Sequence, residues 1–288
     1  MRNPFSEAIH SGKIMISDGA WGTFLQAEGL KPGQCPESWN FDRPELISSV
    51  AAAYIEAGSD MIETNTFGGC RHILERYGLG EKTYALNRRG AELSREAAGD
   101  EHYVLGSVGP SGAMLMMGEV SEAALYEDFR EQIRGLADGG ADALCIETFS
   151  ALDEAELAVR AAKTTGLPVA CTFTFENGFT MMGVTPEQCA EKMLELDVDI
   201  LGTNCGNGVE GMTGVVKAIR KIAPRHPLLV HANAGLPEVR GGETVFPETP
   251  AGMAAFMKKV IDAGATIVGG CCGTTPEHIA AIKKTLSC

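Results

Sequence analysis

The chain has 288 residues and carries 24 Lys and Arg against 38 Asp and Glu, a formal net charge of −14. Hydrophobic residues make up 44% and charged residues 22%, an ordinary globular composition that excludes disorder and fibrous folds. So acidic a surface repels nucleic-acid phosphates and anionic lipid, which sets nucleic acid and membrane aside as partners.

The longest uncharged stretch, 103–118, contains Gly and Pro and is too short to span a bilayer. The first residues, Met1-Arg2-Asn3-Pro4-Phe5-Ser6-Glu7, lack the apolar run of a signal peptide, so a cytoplasmic location is expected. Nine cysteines, odd in number and irregularly spaced, read as reduced thiols rather than a disulfide framework.

Along the chain, apolar runs alternate with turns rich in Gly, Asn and Thr and with amphipathic helical stretches. The runs fall at 14–17, 61–64, 104–108, 143–147, 169–173, 200–203, 228–231 and 266–269. Runs of this kind between helices predict parallel strands joined by crossover helices. Pro44 opens a helix over 45–57 that Gly58 stops, and Ser121 opens one over 122–137. Thr185-Pro186 opens 187–196, Pro250 precedes 251–263, and Thr275-Pro276 opens 277–286.

Corresponding strand ends run from Asp18 to Cys271, 253 residues in seven steps, a mean of about 36. That spacing predicts a single (β/α)8 TIM barrel occupying one domain, 1–288. A doubly wound open sheet is the alternative. Asp18, Glu63, Asn65, Glu147, Asn204, Cys205, Asn233, Cys271 and Cys272 all fall at carboxyl ends of predicted strands. Barrel enzymes build their sites on that face.

Cys145 and Cys171 within strands, and Cys189 on a helix, read as small buried apolar residues, while Cys35, Cys70 and Cys288 read as exposed or half-buried thiols without a role. Cys205, Cys271 and Cys272 differ, because each sits in a glycine-flanked strand-to-helix turn. Three converging thiolates suit zinc and leave the open position that a catalytic zinc requires. On spacing alone, a vicinal disulfide or inert thiols fit as well. Asp18 alone reads equally as a turn residue bonded to its own loop, and Glu147 as an ion-paired strand end.

The chain resembles the homocysteine S-methyltransferase family. The marks are Asp18-Gly19-Ala20-Trp21-Gly22-Thr23, Glu63-Thr64-Asn65-Thr66-Phe67, Gly106-Ser107-Val108-Gly109-Pro110, Glu147-Thr148, Asn204-Cys205-Gly206, Asn233-Ala234-Gly235-Leu236-Pro237 and Gly269-Gly270-Cys271-Cys272-Gly273. The resemblance implies Zn²⁺ held by Cys205, Cys271 and Cys272, and methyl transfer to the thiol of homocysteine or a close relative. A thiol must ionise to act as a nucleophile, and zinc coordination achieves this. In the absence of substrate, the Asn233 amide oxygen is a candidate fourth ligand.

The resemblance also implies that Asp18 and Glu147 hold the acceptor's ammonium, with Glu63 joining them or ordering the site. Gly19, Ala20 and Ser107 are then candidate donors to its carboxylate, and Asn65 belongs to the same substrate-binding set. Trp21 stands where the family often has Met, which narrows or reshapes the mouth. Met114, Met116 and Met117 are expected to be adaptable packing; if exposed, they suit an apolar methyl donor or a partner protein.

The chain ends just past the eighth unit, so the donor is expected to be free, or carried as methylcobalamin on a separate corrinoid protein. A corrinoid-dependent system with another acceptor is the enzymatic alternative. A zinc- or thiol-responsive binding protein is the alternative without turnover.

Overall fold

The computed structural model describes residues 2–206, 209–241 and 243–286. Eight parallel strands surround a common axis: β1 (Met15–Ile16), β2 (Met61–Glu63), β3 (Tyr103–Val108), β4 (Ala143–Phe149), β5 (Val169–Phe173), β6 (Ile200–Cys205), β7 (Leu228–Ala232) and β8 (Ile267–Gly270). Their hydrogen-bonded order is β1-β8-β7-β6-β5-β4-β3-β2. This is the expected TIM barrel, with helices packed around it.

The β1–β2 seam has no regular ladder and is closed by other means. The Asp60 amide donates to the Ile16 carbonyl at 2.7 Å. Two carboxylates complete the seam: Asp60 Oδ2 accepts from the Ile16 amide at 2.8 Å, and Asp18 Oδ2 from the Glu63 amide at 2.7 Å.

Strand parity divides the interior into layers. Met15, Met61, Leu105, Ala143, Cys145, Ala170, Leu229 and Ile267 form one buried apolar cluster. Phe5 and Ile9, on and just after the short helix Phe5–Ala8, join that cluster, and Phe5 meets Tyr103 edge-on at 5.0 Å. One alternation further along the strands come Glu63, Ser107, Glu147, Thr172, Asn204 and His231, all buried. The barrel interior is therefore apolar below and polar at its carboxyl end.

The expected helices form within a residue or two of their predicted bounds, as Pro44–Glu56, Glu122–Asp138, Pro186–Glu195, Pro250–Asp262 and Pro276–Leu286. Thr185 and Gln188 make a reciprocal capping box, and the Ser121 and Thr249 side chains cap their helices. The strand pattern did not predict the two-stranded antiparallel ribbon Glu238–Arg240 and Glu243–Val245 between β7 and β8.

Two cysteine expectations are corrected. Cys35 and Cys70 are buried, not exposed: Cys35 Sγ donates to Glu37 Oε2 at 3.2 Å, and Cys70 packs into the main core at the start of helix Arg71–Glu75. Neither lies in a regular strand or helix, so periodicity gave no cue to their burial. Cys145, Cys171 and Cys189 are buried as expected, and Cys288 lies outside the described residues.

The methionines at the barrel rim also differ from expectation. Met114, Met116 and Met117 are exposed, along a loop and the single 3-10 turn Leu115–Met117, and so are Met181, at 90%, and Met182 after β5. A turn that short has only one side against the barrel, which Leu115 takes. Among the described residues no helix is long and apolar enough to cross a membrane.

Candidate functional site

Cys205, at the end of β6, and Cys271-Cys272, just past β8, come together at the carboxyl mouth. One sulfur from each lies within 4.8 Å of the others, and the Cys205 and Cys271 sulfurs are 2.7 Å apart. The backbone makes this possible by leaving strand geometry. Cys205 has φ 56°, a left-handed conformation that non-glycine residues adopt only under constraint.

After β8 the chain turns sharply. The Cys271 amide donates to the Ala232 carbonyl at 2.7 Å, and the Ala234 amide donates to the Cys272 carbonyl at 3.0 Å. Gly273 has φ 79°, and a Cβ there would stand 2.1 Å from Phe246 Cγ. Thr274 ties this loop to the one after β1: its hydroxyl donates to the Cys271 carbonyl at 2.7 Å and accepts from the Ala20 amide at 3.0 Å.

The thiols are electrically coupled. Hydrogen bonds from Cys205 and Cys271, in that order, pull the Cys272 thiol down to about 3. Hydrogen bonding to Cys205 and Cys272, followed by burial, pushes Cys271 up.

A cavity of about 490 Å³ opens onto these sulfurs, with Trp21, Phe67 and Tyr77 in its wall. It also reaches a second group, Glu63, Glu147 and His231, whose ligand atoms lie within 4.8 Å of one another. His231 Nδ1 is 3.6 Å from Glu63 Oε1. Glu63 Oε1 and His231 Nε2 are buried without a hydrogen-bond partner. Glu147 Oε1 accepts from the Ser107 hydroxyl.

Burial pushes Glu147 up to about 7, against the opposing Ser107 hydrogen bond. Burial, then the charges of Glu147 and Asp18, pushes Glu63 well above the carboxylate range. Burial lowers His231 to about 4, so the imidazole is neutral. Among the described residues no Lys or Arg lines the cavity. These acids are costly to ionise because no cation accompanies them, and an entering cation offsets that cost.

Asp18 is buried directly before the wall residues Gly19, Ala20 and Trp21. Its Oδ2 accepts from Trp21 Nε1 at 2.8 Å as well as from the Glu63 amide, and its Oδ1 accepts from the Ser17 hydroxyl at 3.1 Å. Burial outweighs these bonds and raises it to about 6. The Ala20 amide is taken by Thr274, and the Ser107 amide by the Thr64 hydroxyl at 3.0 Å. Asn65 lines the cavity, but its amide hydrogens go to the Pro36 carbonyl at 2.8 Å and to Asn40 Oδ1 at 3.0 Å. Asn233 is buried, with Nδ2 donating to the Gly206 carbonyl at 3.2 Å and Oδ1 unpartnered.

His231 was missed in the sequence, because a lone His inside an apolar run reads as core. The available cue was its spacing of two from Asn233, which gives both residues the same strand parity. Thr148 was noted only as part of a motif. The β4–β5 register breaks between Ile146 and Phe149, and Thr148 there has φ 67°. A β-branched residue held in that region stores about 1–3 kcal/mol of strain, a state common at functional sites. Glu147 lies inside this break, directly before Thr148.

Comparison with known proteins places the chain in a family. The homocysteine S-methyltransferase family pattern matches residues 15–286. The methionine synthases of Mycobacterium tuberculosis and Mycobacterium leprae are each 34% identical, over 97% and 96% of this chain. The chain spans about a quarter of their length, 25% and 24% respectively. The metallated form of the homocysteine methyltransferase MmuM from Escherichia coli superposes with TM-score 0.82 at 26% identity, covering 98% of this chain and 99% of that one. Its oxidised form superposes equally well, at 27% identity over the same shares. With the matched pattern reaching from β1 to the final helix, the chain belongs to the homocysteine S-methyltransferase family.

Proposed function

We propose that this chain, acting as one module over 1–288, is a zinc-dependent S-methyltransferase that methylates the thiol of homocysteine or a close relative. The observation that carries this reading is a single cavity with three cysteine sulfurs at one end and an unneutralised acid cluster at the other. A thiol-bearing amino acid has the matching pair of groups, a soft sulfur and an ammonium.

The residues fit the metal. Three soft, closely set sulfur donors suit zinc, and the unpartnered Asn233 Oδ1 is a buried oxygen beside the same turn, suited to a weak fourth contact. Cys205, Cys271 and Cys272 would hold the ion. When bound, Zn²⁺ supplies the positive charge that keeps an acceptor thiol deprotonated at neutral pH.

The remaining work belongs to the protein. Glu147, held by the Ser107 hydroxyl, and Glu63 receive the ammonium, with neutral His231 as a further acceptor. Asp18 supports them from behind: it holds the Glu63 amide and the Trp21 indole, and its charge adds to the field at the ammonium. The acceptor thiol gives up its proton, and the methyl group passes to sulfur while its former bonding pair stays with the donor. Trp21, Phe67 and Tyr77 shield the mouth from water while transfer occurs.

A second reading concerns the donor. A separate corrinoid protein carrying methylcobalamin would meet the exposed Met114, Met116, Met117, Met181 and Met182, a soft and adaptable rim. Relatives named methionine synthase, of which this chain spans a quarter, favour that reading. The test is metal analysis of Cys205→Ser, Cys271→Ser and Cys272→Ser, followed by transfer assays with sulfonium, quaternary ammonium and methylcobalamin donors. Full zinc retention in all three variants would remove the metal reading. Zinc binding without transfer from any donor would instead leave a binding protein.

A further inference from the structure

The side chain of Asn204, fully buried near the end of β6, joins the two halves of the cavity. Its Oδ1 accepts from the Thr148 amide at 2.9 Å and from the Thr172 hydroxyl at 2.7 Å. Its Nδ2 donates to the Thr148 hydroxyl at 2.7 Å and points its remaining donor capacity at sulfur, 3.6 Å from Cys205 Sγ and 3.9 Å from Cys271 Sγ. Thr148 and Cys205 are two of only four non-glycine residues with positive φ among the described residues. One amide therefore links two strained turns, one following Glu147 and the other carrying Cys205.

We propose that Asn204 is a positioning residue that ties the sulfur cluster to the acid cluster, with one N–H shared by two of the cysteine sulfurs. The inference rests on the reading that these cysteines hold the metal, and it adds an outer contact which that reading does not require. An N–H directed at a thiolate draws charge from sulfur and fixes its lone pairs. Contacts of this kind are worth about ten- to a hundred-fold in metal affinity. At its other end the same side chain holds Thr148, so a shift of the sulfurs is felt at Glu147 through a chain of three hydrogen-bonded groups.

Asn204→Asp tests this with almost no change in shape. It keeps an oxygen for Thr148 and Thr172, removes the donor, and places negative charge beside two sulfurs. Zinc affinity, measured by chelator competition, should fall by about ten- to a hundred-fold in the folded variant. Thr148→Val serves as the partner measurement, because it frees Nδ2 from the hydroxyl and leaves the contacts to sulfur in place. That variant should hold zinc within about three-fold of wild type and raise KM for homocysteine with little change in kcat.

A readout on the wild-type chain does not depend on a variant folding. When cadmium-113 replaces zinc, a scalar coupling should appear between the metal and the Asn204 side-chain N–H across the bonded sulfur. Unchanged zinc affinity in folded Asn204→Asp would overturn the proposal, and so would the absence of coupling in cadmium-loaded wild type. Failure of wild-type protein to take up either metal would instead count against the metal reading itself.

Discussion

Glu147→Gln should make the protein more stable and a poorer binder, and the two effects should separate by pH. Burial moves this carboxyl from an ordinary value near 4.5 to about 7, a difference worth about 3 kcal/mol. The folded state therefore holds this proton more tightly than the unfolded chain does. The associated stability is fully present below pH 4.5, is lost as the pH rises through 7, and is absent at pH 8. Gln keeps the size and an oxygen for the Ser107 hydroxyl but never ionises, so it escapes the loss.

The variant should match wild type at pH 4.5 and gain about 1–3 kcal/mol at pH 8, roughly 2–5 °C in Tm for a chain of this size. Homocysteine affinity at pH 8 should fall by about ten- to a hundred-fold, the loss expected when a charge-assisted hydrogen bond is removed. Scanning calorimetry at both pH values and titration calorimetry with homocysteine provide the assay, with zinc content as a control. An equal Tm difference at both pH values would refute the desolvation argument. Unchanged homocysteine affinity would take Glu147 out of the acceptor site.

Homocysteine binding should release protons near pH 6, one from the thiol and at least one from the buried acids, with Glu147→Gln releasing fewer than wild type. Calorimetry in buffers of different ionisation enthalpy counts them, and proton uptake would contradict the reading. Gly273→Ala places a Cβ against the Phe246 ring at a backbone angle that favours glycine, so it should displace the Cys271-Cys272 turn and lower zinc content while the barrel still folds. Metal analysis beside circular dichroism checks this, and wild-type zinc content would show that the turn has room to yield.

The barrel was legible because each strand was followed by a turn signal at a mean spacing suited to eight units, and the cysteine turns stood out by their glycine neighbours. The acid cluster was legible only in part. Glu63 and Glu147 announced themselves as charges at strand ends, whereas His231 is an uncharged group inside a run that parallel strands bury on both faces. Such runs show no alternation of polarity to distinguish the barrel interior from the helix layer. The constraint on Thr148 was hidden for another reason, since it arises from a register break between two strands distant in sequence. The rim methionines were misjudged because composition alone does not say whether a short turn has a neighbour to pack against.

If the proposed function holds, the polar layer that caps an apolar barrel interior also has a bearing on which thiols the protein would refuse. A small thiol without an amino group would reach the sulfurs but leave Glu63 Oε1 and His231 Nε2 buried and unmet. Sites built around buried polar groups discriminate against ligands that lack the partner group far more strongly than apolar pockets discriminate by size. On the proposed reading, abundant simple thiols, and thiols whose amino group lies too far from sulfur, would be turned away by the vacancy they leave rather than by a steric wall. Selectivity of this kind is set at the floor of the mouth, so the rim is free to vary with the methyl donor.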